Sequence, residues 1–379
     1  MKNGRLRLCF FILLCLLALG RPVQAALLAS ETSLTPTGSA FELNLDSKGV
    51  LWVSDADAGE IRSVNAASGA YTIYPVGGAP ADARSDGAGT IWWADSISNQ
   101  LGRLTTGNNM TTTWTITSST GLTGLGATAL DSSGLVWVSD TNSPDLYSLN
   151  PANNELCTYT LPNSLPDSGV SGYLLADQGR IWIGDPENRR IGLLDGTTFT
   201  WWNLPAGSQP RDLALDVSGR VWWTDAAYVG RLDPTASNII TYTSPVGGLP
   251  QMLTLVNGKV WYSQQSPGRV VELDPAAASG ITGSVTAGSM TAGRSCSTLA
   301  PQAPVAITHV SGQTTWNVTT YPTVIDQGGW TVYKMPDGAA PYGIAVTKQI
   351  WLVDNGRQVL AKVSPSFSIY LPVIIKSKG

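Results

Sequence analysis

An all-β, seven-bladed β-propeller of four-stranded antiparallel blades is the fold this sequence predicts. Three observations predict it: a tryptophan phrase that recurs seven times, near-constant spacing between most copies, and a composition suited to short strands and turns. The phrase reads GVLWVSD from Gly49, GTIWWAD from Gly89, GLVWVSD from Gly134, GRIWIGD from Gly179, GRVWWTD from Gly219, GKVWYSQ from Gly258 and KQIWLVD from Lys348. Its tryptophans are Trp52, Trp92, Trp137, Trp182, Trp222, Trp261 and Trp351, separated by 40, 45, 45, 40, 39 and 90 residues. Five of these steps have the length of one propeller blade, and the double step marks an insertion. Charged residues make up 13% of the chain, against roughly 25% in an average globular protein.

The unit from Pro210 to Pro250 shows how one repeat is built. Arg211 to Asp216 alternates apolar Leu213 and Leu215 with other residues and ends in the turn Asp216-Val217-Ser218-Gly219, so it is the inner strand. Arg220 to Asp225, Val229 to Leu232 and Ile239 to Tyr242 follow as strands of β-branched and aromatic residues, punctuated by Gly and Pro. Adjacent residues of a strand point to opposite faces, so Trp222 and Trp223 can each pack on a different neighbouring blade. The tryptophans therefore read as packing between blades.

Glu31 to Asp46 matches the form of Thr331 to Thr347: an outer strand, a Pro/Gly turn, then an inner strand. The start of the chain is thus expected to supply the fourth strand of the last blade, closing the ring on its third strand near Val359 to Val363. The propeller spans residues 27–365, with an insertion at about 276–328 between the third and fourth strands of blade six. That insertion reads as a decorated loop on the face away from the channel mouth, with Val305 to Val310 as a possible added strand. It holds Cys296, Trp316 and the single histidine, His309; Trp316 and His309 could form a contact surface for a protein partner.

Residues 1–25 have the form of a cleaved secretory signal: Lys2, Arg5 and Arg7, an apolar run from Leu8 to Leu19, then Val23-Gln24-Ala25. The reading is an exported, secreted or cell-surface monomer with no transmembrane segment in the mature chain. Cleavage leaves 19 basic residues against 27 acidic ones, which argues against nucleic acid as a partner. Cys157 and Cys296 remain, in units three repeats apart, and read as unbridged thiols. The tail, 366–379, reads as a retention signal or as an outer strand on the last blade.

Six repeats end the second strand in aspartate: Asp55, Asp95, Asp140, Asp185, Asp225 and Asp354, with Gln264 in the remaining one. Spread around a ring these cannot share one ion, so each is expected to accept hydrogen bonds within its own loop. The starts of the inner strands ring the channel mouth and supply the candidate ligand site: Phe41, Glu42, Asp82, Arg211, Asp212, Gln251 and Tyr342. Glu42, Asp82 and Asp212 among them could hold calcium or magnesium in the channel, since hard cations take carboxylate oxygens.

The phrase Gly-x-Val/Ile-Trp-x-x-Asp, followed by strands such as Leu101-Gly102-Arg103-Leu104 or Val229-Gly230-Arg231-Leu232, resembles the repeat of the streptogramin lyase (virginiamycin B lyase) family. It is also similar to the NHL repeat. The resemblance implies a propeller of this blade type, and an activity in which histidines and a glutamate, with magnesium, open a cyclic ester by proton abstraction. Histidine suits that step because it titrates near neutral pH. The seven repeats contain none, so no catalytic position carries over. The functional expectation is a non-catalytic module that binds a small molecule, glycan or extracellular protein at the channel mouth. The alternative is a divergent streptogramin B lyase-like or metal-dependent lactone-processing enzyme using the channel carboxylates.

Overall fold

A computed structural model describes residues 26–33, 40–117, 124–161, 173–314, 316–346 and 349–368. The expected signal, 1–25, and tail residues 369–379 lie outside them. The described residues form antiparallel strands and no helix, so none is long and apolar enough to cross a membrane. They assemble into six hydrogen-bonded sheets, five of five strands and one of nine. The repeat of residues 210–250 supplies Leu213–Leu215, Val221–Thr224, Tyr228–Asp233 and Asn238–Thr243 in that order across one sheet.

The repeat tryptophans pack between neighbouring units. Trp222 is buried in one cluster with Val260 and Tyr262 of the following repeat, and Trp223 in another with Trp182 and Ile191 of the preceding one. Trp92 and Trp93 divide in the same way. In six repeats the tryptophan of the phrase also faces an aromatic ring of its own fourth strand, as in Trp137 and Tyr159 at 5.2 Å or Trp261 and Tyr333 at 6.0 Å between ring centres. The inner strands touch in sequence order, and Ala40–Leu45 of the first repeat closes on Pro341–Val346 of the last.

The N-terminal strand Ala26–Ser33 pairs antiparallel with Val359–Ser368, with Glu31 opposite Ala361 and Ser33 opposite Val359. Arg357 donates from Nη2 and Nη1 to the two oxygens of Glu31 at 2.8 and 3.0 Å, and from Nε to Asp354 at 2.7 Å. The Tyr321 hydroxyl donates to Glu31 at 2.6 Å. Burial alone would raise the Glu31 pKa, but the hydrogen bonds from Arg357 and Tyr321 outweigh it and hold the carboxyl below its ordinary range. The same burial and the adjacent carboxylate push the Tyr321 phenol up.

The insertion is not a decorated loop on the far face. It runs around the outside of the molecule and adds an outermost strand to each repeat in reverse order. Ile281–Ser284 pairs with the fourth strand of repeat five, Ala287–Thr291 with that of repeat four and Gly293–Thr298 with that of repeat three. Val305–Ala306 and Val310–Gln313 do the same for repeats two and one. Asn317–Gln327 then pairs with Ala26–Ser33 and with Trp330–Lys334, joining two four-stranded runs into the nine-stranded sheet. Sheet twist accounts for this path. Each strand is rotated about 20–25° from its neighbour, so a fifth strand lies at roughly 80–100° to the first. With the inner strand along the channel, the fifth follows the circumference, and successive fifth strands line up head to tail.

Cys157 and Cys296 are likewise not unbridged. They face each other in the pairing of Glu155–Thr160 with Gly293–Thr298 and form a disulfide, because the insertion reaches repeat three from outside. His309 sits against Tyr74 of repeat one, with ring centres 5.9 Å apart. Trp316 meets Trp351 edge-on at 5.7 Å. It takes the place of the fourth-strand aromatic that the N-terminal strand ALLASETS lacks.

The second tryptophan of a pair constrains the third strand. A Cβ built on Gly230 would lie 2.1 Å from the Trp223 ring, and one on Gly102 equally close to Trp93. Gly230→Ala should therefore displace Trp223 and cost about 2–3 kcal/mol, the upper part of the overpacking range, read as a lower midpoint of denaturant unfolding. Alanine at exposed Gly134, where the left-handed backbone (φ 85°) is the only obstacle, should cost about 1 kcal/mol. Equal costs at the two positions would contradict the packing account.

Candidate functional site

The channel-mouth face is framed by the aspartates that end the second strands. Asp95 accepts hydrogen bonds from the backbone N–H groups of Ile97 and Ser98, both at 3.0 Å, and of Ala79 in the connection leading into its repeat. Asp140 holds Gly124 and Asn142, and Asp354 holds Ala340 and Gly356, in the same manner. Asp225 accepts from Gln209 at 2.9 Å. At the exception, Gln264 reverses the polarity: its amide donates to the Gly247 carbonyl. The bonds within the aspartate's own loop are those the sequence suggests, and those from Ala79, Gly124, Gln209 and Ala340 add a tie to the connection that leads into the repeat.

Of the candidate residues, Arg211 and Gln251 meet at the mouth, Arg211 Nη1 donating to Gln251 Oε1 at 3.2 Å. The Tyr342 hydroxyl lies 3.1 Å from that of Tyr173, which links repeat seven to repeat four across the opening. Sequence alignment at the first two levels of the inner strands passes over Tyr173 because it stands one residue further on. A groove of about 500 Å³ opens beside this pair, lined by Tyr173, Glu187, Arg189, Ser208, Gln209 and Arg211 among others. Phe41 and Glu42 lie on the inner strand of repeat one, and their side chains are outside the described residues.

Asp82 and Asp212 occupy equivalent positions and act alike on the next repeat. Asp82 Oδ2 accepts from the Thr128 N–H at 2.6 Å, and Asp212 Oδ2 from the Leu253 N–H at 2.7 Å. Asp82 is in the left-handed region at φ 40°, and its other oxygen pairs with Arg84 Nε at 2.5 Å. The strand is irregular between Ala81 and Arg84, so simple alternation along it does not predict that Arg84 meets Asp82. Arg84 lines a channel cavity of about 220 Å³ together with Asn44 and Thr128.

Burial pushes the Asp212 carboxyl up to about 6. The Leu253 and Leu213 N–H groups and the charge of Arg84 oppose the shift, and the charge of Asp82 adds to it. A carboxyl raised from 3.8 contributes stability that is fully present below that value and is lost as pH rises through about 6, roughly 2–3 kcal/mol in all. Asp212→Asn should therefore gain in melting temperature relative to the native protein between pH 5 and pH 8. An identical difference at both pH values would contradict the shift.

No family model matches this sequence, and no curated protein matches it. Solved structures do. A streptogramin B lyase structure superposes with a TM-score of 0.68 at 16% identity, over 89% of this chain and 98% of that one. A catalytically inactive virginiamycin B lyase from Staphylococcus aureus with quinupristin gives 0.66 at 16% identity over the same shares. The extracellular domain of a hybrid two-component system of B. thetaiotaomicron gives 0.56 at 12% identity, over 86% of this chain and 40% of that one. At these identities the likeness speaks for the fold: the chain is a β-propeller of the kind found in the virginiamycin B lyases.

Proposed function

We propose that this chain is an exported, seven-bladed propeller that binds a small polar ligand at its channel-mouth face without transforming it. The count of seven rests on reading the nine-stranded sheet as two blades bridged by Asn317–Gln327. Seven hydrophobic clusters, each shared by two consecutive repeats, support that reading.

The observation that carries the functional reading is the engagement of the channel carboxylates. Asp82 and Asp212 each hold the backbone of the next repeat, and Arg84 supplies a positive charge beside them. Groups so used are structural staples first, whereas a hard-cation site needs carboxylate oxygens free to coordinate. The groove beside Arg211 offers cationic, amide, hydroxyl and aromatic groups, which suits a polar ligand with one apolar face. Export fits the extracellular domains of similar fold and the reading of residues 1–25.

One observation favours the enzymatic alternative. A carboxyl with a pKa of about 6 is suited to general acid–base work near neutral pH. Quinupristin, the compound present with one lyase of this fold, is the first probe to use.

The test is titration of quinupristin, simple lactones and a glycan panel, with and without magnesium or calcium, reading binding and turnover together. Binding without turnover is expected. Arg211→Ala with Tyr342→Ala should weaken it at least tenfold while changing the melting temperature by no more than about 2 °C, roughly 1 kcal/mol or less. Turnover abolished by Asp212→Asn or Glu42→Gln would establish the enzymatic reading in its place.

A further inference from the structure

We propose that residues 281–313 form a strap that docks onto an already assembled ring and is latched there by the Cys157–Cys296 disulfide. Each strap strand pairs with the fourth strand of a different repeat, from five back to one. The pairing surface it follows exists only after those five repeats have formed and taken their places. The strap adds almost nothing to the core. From Ile281 to Gln313 the single buried residue is Ala292, and Ile281, Met290, Val305 and Val310 point into solvent. Backbone hydrogen bonds hold it strand by strand, with a few side-chain contacts such as Arg294 on Tyr159 and His309 on Tyr74, and short two- to six-residue strands that bury so little apolar surface open readily.

Two points fix it more firmly. Beyond the strap, fully buried Tyr321 is tied to Glu31 and, through it, to Arg357. Near its middle, Cys296 is bonded to buried Cys157. Cys296 itself lies on the exposed strand, where an external dithiol can reach it. In that exchange the Sγ–Sγ bond breaks, two electrons and two protons pass to Cys157 and Cys296, and the dithiol closes to its own disulfide. With the latch open, residues 281–313 leave the outer strands and the inner strands stay in place. The strap covers the outer strand edges of the ring, so its release uncovers surfaces that readily pair with other chains.

Hydrogen exchange followed by mass spectrometry tests this on the full chain, comparing the oxidised protein with Cys157→Ser/Cys296→Ser. The expected result is at least tenfold faster exchange across 281–313 in the double variant, with Ile91 to Ala94 and Val221 to Thr224 unchanged. Unchanged exchange across 281–313 would show that the disulfide latches nothing. Equal loss of protection in the strap and in Ile91 to Ala94 and Val221 to Thr224 would show that the strap belongs to the same cooperative unit, and would also overturn the proposal. If the double variant does not fold, mild reduction of the folded protein with dithiothreitol, followed by the same measurement, decides between these outcomes.

Discussion

Every repeat in this chain carries apolar side chains on both faces of its sheet, and such a sheet is stable only between two neighbours. Trp222 and Trp223, adjacent in sequence and buried in different clusters, show the constraint at one position. Its consequence is closure. An open row would leave one apolar face bare at each end, so the first repeat has to pack against the last. It does so through Leu43, Leu51 and Val53 against Trp351, Val353 and Leu360.

Closure is reinforced at three radii. The inner strands of the first and last repeats touch at the channel. Further out, the N-terminal strand enters the last repeat, where Glu31 gathers Arg357 and Tyr321. At the rim, the reversed strand path from repeat five around to repeat six joins all the outer edges. The same twist that rotates each strand against its neighbour makes the rim path possible, since only a circumferential fifth strand can be continued into the next sheet.

The repeated core was legible because its signal is local. The glycine turn, the alternating apolar strand and the tryptophan lie within seven residues, and the strand-ending aspartate bonds to N–H groups two and three residues away. The rim path had no such signal. The strands Ile281–Ser284, Ala287–Thr291 and Gly293–Thr298 are rich in Gly, Ala, Ser and Thr and have mostly exposed side chains, so no period of two separates a buried face from a wet one. Cys157 and Cys296 were set apart by an argument that placed each in its own repeat, and a segment that leaves its repeat defeats it. The contact between Arg211 and Gln251 joins two residues that strand alignment puts at one level. Tyr173, the partner of Tyr342, lies outside that alignment because it stands one residue beyond the two levels compared.

The strand-ending aspartates and the channel carboxylates serve one end, since both bind loops or strands of successive repeats into a fixed face. That rigidity gives the groove beside Arg211 a preformed shape. The claim that joins fold and face is the reversed path around the rim, and the disulfide is its covalent reporter. Proteolysis of the protein under non-reducing conditions, followed by mass spectrometry, should yield the peptide containing Cys157 linked to the peptide containing Cys296. Recovery of both peptides with free thiols would contradict the path.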